Sequence, residues 1–518
     1  MPDEGSYLDI SLRKIAKGAG IGFTGTFIGM ALGYLSRMVI ARFLGASDYG
    51  LVCLGFAAMS IATALSMVGL DTGIQRYVSF YKGKEDKERI KGTILSAIKI
   101  SFPLSIIFSF FLFFGASWIS THAFHTSKLA PIIKIFAIGI PFYVLSINFI
   151  SATVGFQDLR YRVYVNDIFQ NTFKIVAIVI FLALGFGVFG AALGWILAIV
   201  LMPFLAFYFL EKKVFPILNT KVKAVPVEKE LFFFSFPLIF ASLAGLIMGW
   251  TDTLMLGYFC TPSDVGIYNA ALPTARLLSV GAGAFGVIFM PVASELYARG
   301  RIEDLRGTYS AVTKWIVTIT LPLSLLMCLF SGTVMQILFG SEYVTGATAL
   351  SILTLGYFIS SFFGLPPHLL QSYGKTKIIM IGNFLGAAAN VVLNYLLIPI
   401  YGVNGAAIAT ASTIALMRFL YFFSAHRIAK IQPLRKSFLK IIAASIIAIL
   451  IVYVIIKYIV GVSLFSLLIM FLVFLTLYFF LLLSFRSFEE EDLVVMRAID
   501  QRLGTKSGWM RKLIEKFL

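Results

Sequence analysis

The sequence predicts an all-α polytopic membrane protein of about fourteen transmembrane helices, built as two parallel six-helix repeats followed by a helix pair. Three observations predict it. Of the 518 residues, 59% are hydrophobic and 13% are charged, about half the charge that a water-soluble body carries. Apolar runs of about 20 residues, the length that crosses a bilayer as a helix, recur along the whole chain. Short motifs of the first part recur in the second at a nearly constant offset. Such spans are helical because hydrocarbon offers no partner to an open backbone, and a β-barrel would show short alternating segments instead.

Taken in order, the spans fall at roughly 18–44, 50–80, 92–118, 130–155, 163–185, 190–211, 231–259, 265–298, 307–331, 346–371, 378–398, 404–426, 438–460 and 463–485. The connections alternate in charge. One set carries Lys82, Lys84, Lys87, Arg89 and Lys91, then Arg160 and Arg162, then Lys212, Lys213, Lys221, Lys223 and Lys229. It continues with Arg299, Arg301 and Arg306, then Lys375 and Lys377, then Arg427, Lys430, Arg435 and Lys436. The other set is almost free of Lys and Arg, Lys128 being its exception. Positive loops stay in the cytoplasm, so an even number of spans places both termini inside a plasma membrane. The organisation is then a cytoplasmic N-terminal segment (1–17), a first half (18–211), a cytoplasmic linker (212–230), a second half (231–426), an additional helix pair (427–485) and an amphipathic cytoplasmic tail (486–518). The last pair either widens a lateral groove or packs on the bundle.

The same placement disposes of the net charge of +18. With no soluble basic module to carry it, nucleic acid is excluded as a partner. Cys53, Cys260 and Cys328 give neither a disulfide framework nor a metal spacing. Met1 to Gly18 carries no cleavable signal pattern, since Arg13, Lys14 and Lys17 lead straight into the first span.

The repeat rests on three matches. Gly187-Val188-Phe189-Gly190-Ala191-Ala192-Leu193 returns as Gly402-Val403-Asn404-Gly405-Ala406-Ala407-Ile408, an offset of 215. Ser47-Asp48-Tyr49-Gly50-Leu51 returns as Ser263-Asp264-Val265-Gly266-Ile267, an offset of 216. Gly92-Thr93 with Lys99 returns as Gly307-Thr308 with Lys314, an offset of 215. Six spans per repeat is an even number, so both halves enter the membrane in the same direction, as in transporters that rock one half against the other.

The run Ser36-Arg37-Met38-Val39-Ile40-Ala41-Arg42-Phe43-Leu44-Gly45-Ala46-Ser47-Asp48-Tyr49-Gly50-Leu51 resembles the first-hairpin signature of polysaccharide-biosynthesis export proteins. These are lipid-linked oligosaccharide flippases of the multidrug/oligosaccharidyl-lipid/polysaccharide exporter superfamily. The Gly402–Ile408 turn and the count of fourteen are similar to that family as well, and the resemblance covers essentially the whole chain. It implies a V-shaped bundle of two halves around a central cavity. It also implies movement of an undecaprenyl- or dolichol-linked glycan from the inner to the outer leaflet. The family has no strict catalytic motif, so it assigns no site residue.

The chain carries no Gly-x-x-x-x-Gly-Lys-Ser/Thr loop and no His-Glu-x-x-His. We therefore expect no enzyme activity, no cofactor and no metal, His122 and His125 notwithstanding. Transport energy has to come from an ion gradient, the membrane potential or consumption of the product, which makes a coupling ion an expected partner beside the lipid-linked glycan and the membrane lipid. A monomer is expected. Outer loops this short do not suit a polysaccharide polymerase or glycosyltransferase. A multidrug/cation antiporter and a flippase of peptidoglycan lipid precursor remain as alternatives within the superfamily.

Ionisable residues inside spans are the candidate site, because each costs a few kcal/mol unless it faces a cavity or a partner. By helical rise Arg276 lies about 15 Å and Arg418 about 20 Å from the outer ends of their spans. Lys174 lies near the middle of the fifth span, Arg37 in the outer half of the first and Asp252 in the outer half of the seventh. The deep charges are mostly cationic, and the planar fork of Arg suits phosphate oxygens. The competing reading is a set of structural ion pairs, Asp252 with Arg276 first among them. At the repeat offset Arg276 corresponds to Ser60 and Arg418 to Pro203, so the scaffold repeats without these charges. Lys99, Lys134 and Lys314 are expected to snorkel, and Asp71 to pair with Arg76. Gly25, Gly29 and Gly33 should admit a close neighbouring helix. His368, after Pro366-Pro367, reads as a helix-break residue lining a cavity. Asn383, Asn390 and Asn394 either line a cavity or bond between helices.

Overall fold

The computed structural model describes residues 4–219, 221–433, 437–455 and 464–487. The tail beyond Ser487, Arg435 and Lys436, and the last outer connection at 460–463 lie outside the described residues. Among the described residues sixteen α-helices follow one another: α1 Glu4–Met67, α2 Leu70–Gly83, α3 Lys87–Trp118, α4 Leu129–Gly155, α5 Arg160–Ala183, α6 Gly187–Phe209, α7 Glu228–Phe259 and α8 Pro262–Arg276, then α9 Leu278–Ala298, α10 Ile302–Leu329, α11 Ser331–Phe339, α12 Ala347–Phe362, α13 Pro366–Ser372, α14 Thr376–Ala429, α15 Ser437–Ile455 and α16 Leu464–Ser484. Ten helices among the described residues are long and apolar enough to cross a membrane. Two of these are interrupted by a glycine in the positive-φ region, Gly45 in α1 (φ 77°) and Gly402 in α14 (φ 55°). A side chain would strain either backbone. Outside the core, Phe43, Phe111 and Ile400 stand outward with two thirds or more of their surface free, as lipid-facing side chains do. This is a multi-pass helical membrane protein.

The chain divides into two compact units, Met1–Ala270 and Ala271–Leu518. The packing boundary therefore falls in the expected eighth span, whereas the repeat boundary read from the sequence falls at 212–230. The reason is visible in the first unit, where that linker is strapped down. The Lys91 ammonium donates to the carbonyls of Asn219 (2.8 Å) and Val222 (3.0 Å). Val225 N–H donates to the Glu88 carbonyl, and Val227 N–H to Ser96 Oγ. Lys99 pairs with Glu228 at 3.1 Å, and Tyr81 donates to the Glu230 carboxylate at 3.1 Å. These six anchored residues, between 219 and 230, hold α7 to α2 and α3. Lys99 is thus an ion-pair partner rather than a snorkelling side chain. Arg76 does not pair with Asp71; its guanidinium lies 4.1 Å from the ring centre of Phe234.

Two other contacts of the first unit follow from small residues. Gly25, Gly29 and Gly33 of α1 face Val163, Asp167 and Asn171 of α5, with no room for a β-carbon at the first two. Four-residue spacing on both helices makes this a continuous seam. The repeated pentapeptides also meet each other. A β-carbon on Gly50 would collide with the Pro262 carbonyl, and one on Gly266 with the Ala46 carbonyl. The contact is reciprocal: Ala46 and Pro262 are themselves 216 residues apart, as are Gly50 and Gly266.

In the second unit α15 and α16 pack on α10. Phe438, Ile441, Phe474 and Tyr478 form one buried cluster with Val317 and Leu321, and the Tyr478 hydroxyl donates to the Thr318 carbonyl at 3.0 Å. A second cluster joins Phe289, Tyr309, Leu369 and Tyr421. Lys314 is 4% exposed, so it is buried among these helices rather than reaching for a headgroup.

Candidate functional site

In the first unit the seam between α1 and α5 turns polar along its length. Residues 163–169 of α5 are wound as a π-helix, a geometry that recurs at functional sites. It carries Asp167, whose Oδ1 accepts from the Asn166 amide at 3.0 Å and whose Oδ2 is buried without a hydrogen-bond partner. One turn on, the Asn171 amide donates to the Asp167 carbonyl at 2.9 Å and to the Gly29 carbonyl at 3.4 Å, tying α5 to α1. Its Oδ1 accepts from the Lys174 ammonium at 3.1 Å. Asp167, Asn171 and Lys174 share one helix face at spacings of four and three. On α1, Gly29, Gly33 and Arg37 share a face at spacings of four, and the two glycines pack on Asp167 and Asn171.

Lys174 is 6% exposed. Its ammonium stands 4.7 Å from the ring centre of Trp195 on α6, and that indole is stacked on Phe56 at 4.4 Å. Arg37 lies one turn beyond Gly33, which packs on the Asn171 amide oxygen that holds Lys174. Among the described residues, neither cation has a carboxylate within ion-pair distance. The structure therefore brings Arg37 and Lys174 together, and holds Lys174 with an amide oxygen and an aromatic face.

Asp252 is in the same unit but engaged differently. It is 4% exposed, and its carboxylate accepts from the Tyr268 hydroxyl of α8 at 2.6 Å. Beside it, Thr253 and Asn269 exchange hydrogen bonds. These contacts close the α7–α8 hairpin. Arg276 ends α8 in the second unit, where the chain turns through Leu277 into α9, and its side chain is exposed.

Arg418, on α14 of the second unit, donates through Nε to the Ser360 hydroxyl of α12 at 3.1 Å. The His368 imidazole packs on the bare backbone of Gly286, its Nδ1 buried and without a partner. Pro366 begins α13 after a three-residue break, so the helix-break expectation holds, but this nitrogen is closed off rather than facing open space. Asn383 accepts from the Tyr421 hydroxyl at 2.8 Å. The Asn394 amide donates to the Asn390 carbonyl within its own helix. In the loop before α5, Asp158 accepts two bonds from the Arg160 guanidinium, which holds its carboxyl below the usual carboxylate range. His122 stacks on Trp118 and His125 leans on Tyr258, so each imidazole has its own aromatic neighbour.

The pattern of the polysaccharide biosynthesis protein family matches residues 15–297, more than half of the chain. The chain belongs to that family. A second family pattern, MatE, matches residues 237–396. Across 448 residues the chain is 26% identical to an uncharacterized membrane protein of Methanocaldococcus jannaschii, MJ1068, covering 84% of this chain and 88% of that one. It is 23% identical to a candidate O-antigen transporter of Shigella flexneri over 71% of this chain and 88% of that protein. Among solved structures, the lipid II flippase MurJ in an inward closed conformation superposes with a TM-score of 0.70 at 19% identity, over 91% of this chain and 99% of that one. At that identity the likeness establishes the fold.

For this family member, composition flagged the cations, but several of their holders escaped it. Asn171, Trp195 and Ser360 did not stand out, since neutral polar and aromatic residues are ordinary in spans, and neither did Tyr268, the partner of Asp252; Asp167 is an acid inside the expected fifth span that the list of deep charges omits. The spacing of Asp167, Asn171 and Lys174 along one face is the signal that could have found two of them.

Proposed function

We propose that this protein is a flippase that moves a phosphate- or pyrophosphate-bearing, lipid-linked oligosaccharide from the inner to the outer leaflet of the plasma membrane by alternating access. The observation that carries this reading is Lys174: a buried ammonium held by an amide oxygen and an indole face, with Arg37 one turn beyond the Gly33–Asn171 contact. A cation in low dielectric calls for a counter-charge, and where the chain supplies none within ion-pair reach, an anionic cargo can. Arg37 and Lys174 in the first unit and, separately, Arg418 in the second are each proposed to contact phosphate. Arg276, exposed at a helix end, and Asp252, occupied by Tyr268, are assigned supporting places on the path.

Fourteen spans are part of the proposal. The ten membrane-length helices become twelve when the two glycine-broken ones are each counted as two, and α7 and α16 complete the set. The reciprocal Gly50–Gly266 contact supports two parallel repeats, since equivalent residues meet across a two-fold axis. Both termini are placed in the cytoplasm by the loop charges.

Asp167 favours a second reading. A buried carboxylate oxygen without a partner would serve a cation antiporter, and the MatE match belongs with that alternative. Deletion of the gene followed by analysis of lipid-linked glycans separates the readings. We expect one lipid-linked species to accumulate facing the cytoplasm, and its identity distinguishes a surface glycan from a peptidoglycan precursor. An unchanged lipid-linked pool with altered resistance to cationic compounds would refute the flippase reading.

A further inference from the structure

Arg418 is held in an unusual way for a cation inside a span. Its Nε donates to Ser360 Oγ at 3.1 Å. Ser360 is 6% exposed and lies near the end of α12. One turn earlier Gly356 lets α14 approach at Ala411, where a β-carbon would sit only 2.7 Å from the Ala411 Cα. Gly356 and Ser360 share a face of α12, as Ala411 and Arg418 do on α14, so this close approach sets the distance between hydroxyl and guanidinium. The neighbouring Ser361 hydroxyl has another task, donating to the Tyr357 and Leu278 carbonyls. A guanidinium has five donors in a rigid fork. Here one is fixed by a neutral oxygen. Among the described residues the two Nη groups have no hydrogen bond or ion pair, and neither is shut off from its surroundings. A carboxylate at position 360 would orient the fork equally well, but it would neutralise it and compete with an incoming anion.

We propose that Ser360 is a positioning residue that aims the Nη fork of Arg418 at the phosphate of the transported lipid. This rests on the flippase reading and adds to it the residue that preorganises the contact.

The test is titration of purified protein in phosphatidylcholine nanodiscs with inorganic pyrophosphate. Ser360→Ala should weaken binding about five- to tenfold, in line with the net worth of one ordinary hydrogen bond, since the alanine acts through the aim of Arg418 and leaves its charge in place. Ser360→Thr, which keeps the hydroxyl, should stay within about twofold. If Ser360 acts through Arg418, adding Ser360→Ala to Arg418→Ala should change nothing further. Ser360→Cys replaces the alanine variant should that lose a monodisperse profile. Wild-type binding by Ser360→Ala, or an equal loss with and without Arg418, overturns the inference while leaving the phosphate reading intact. Full binding by Arg418→Ala, or none by the wild type, overturns both. Competition by phosphatidylglycerol would mark the fork as a site for ordinary headgroups and overturn the cargo assignment.

Discussion

Replacing Lys174 by Met separates a transport role from a structural one. The ammonium is buried, bonded to Asn171 at 3.1 Å and 4.7 Å from the Trp195 ring centre. Removing an ammonium from water costs several kcal/mol after relaxation. A desolvated cation–π contact returns about 2 kcal/mol, and a hydrogen bond from a charged donor about 1.5–3 kcal/mol. These nearly cancel. Met fills similar volume with no charge to desolvate, while Asn171 Oδ1 loses its donor at about 1 kcal/mol or more. Lys174→Met should therefore change stability by no more than about 1–2 kcal/mol in either direction, a shift of a few degrees in melting temperature. Transport, if Lys174 meets the cargo, should fall by more than about tenfold, since a contact to a charged group is worth at least that. The assay pairs fluorescence-detected thermal melting of the solubilised protein with surface glycan display at matched expression. Glycan loss that merely follows the loss of folded protein, or full display by the variant, would refute the reasoning.

Other perturbations test the frame around that site. Gly50→Val or Gly266→Val should prevent folding, since each side chain would enter the backbone of the facing pentapeptide; normal yield and melting of either variant would contradict the reciprocal contact. Bridging Lys99→Cys and Glu228→Cys with a thiol-cleavable cross-linker, whose length replaces the two long side chains, should leave transport intact, because α7 is strapped to α3; loss of transport that reductant restores would mean that the strap must open. The native clasp should also resist acid. The Glu228 carboxyl is held below its usual range, first by its own backbone N–H and then by Lys99. Its stabilising effect is present above the ordinary glutamate pKa and is lost only as pH falls through the lower folded value; at this exposed position the effect is small. Finally, Lys82→Cys should resist membrane-impermeant thiol reagents in intact cells, and labelling from outside would invert the topology.

Much of the candidate site was legible as a list of charges and little of it as geometry. Arg37, Lys174, Asp252, Arg276 and Arg418 stand out because charge inside an apolar run is expensive wherever the run ends up. Their grouping was not legible. Helical rise placed Asp252 and Arg276 at compatible depths, yet the Asp252 carboxylate is taken by Tyr268 and Arg276 ends its helix exposed. Depth along a span says nothing about which way a side chain turns. The linker tells the same story. Its charges marked it as a cytoplasmic boundary between repeats, but its backbone hydrogen bonds to Glu88 and Lys91 carry no mark in composition.

The sequence by itself determined that this protein is helical and lives in a membrane. Both follow from the solvent: a bilayer imposes its thickness and its lack of hydrogen-bond partners on every span separately, so one-dimensional patterns of length, apolarity and loop charge suffice. It also carries the short glycine motifs that return at an offset of 215 or 216, on which the proposed repeat rests. Only the tertiary structure decided what holds each cation. An amide, an indole and a hydroxyl are unremarkable at 171, 195 and 360 in the chain, and they become holders of Lys174 and Arg418 only when α1, α5 and α6, or α12 and α14, are packed side by side. The physical reason is range. Transfer into lipid is a property of each segment, whereas the preorganisation of a charge depends on angstrom-scale contacts between segments far apart in the chain.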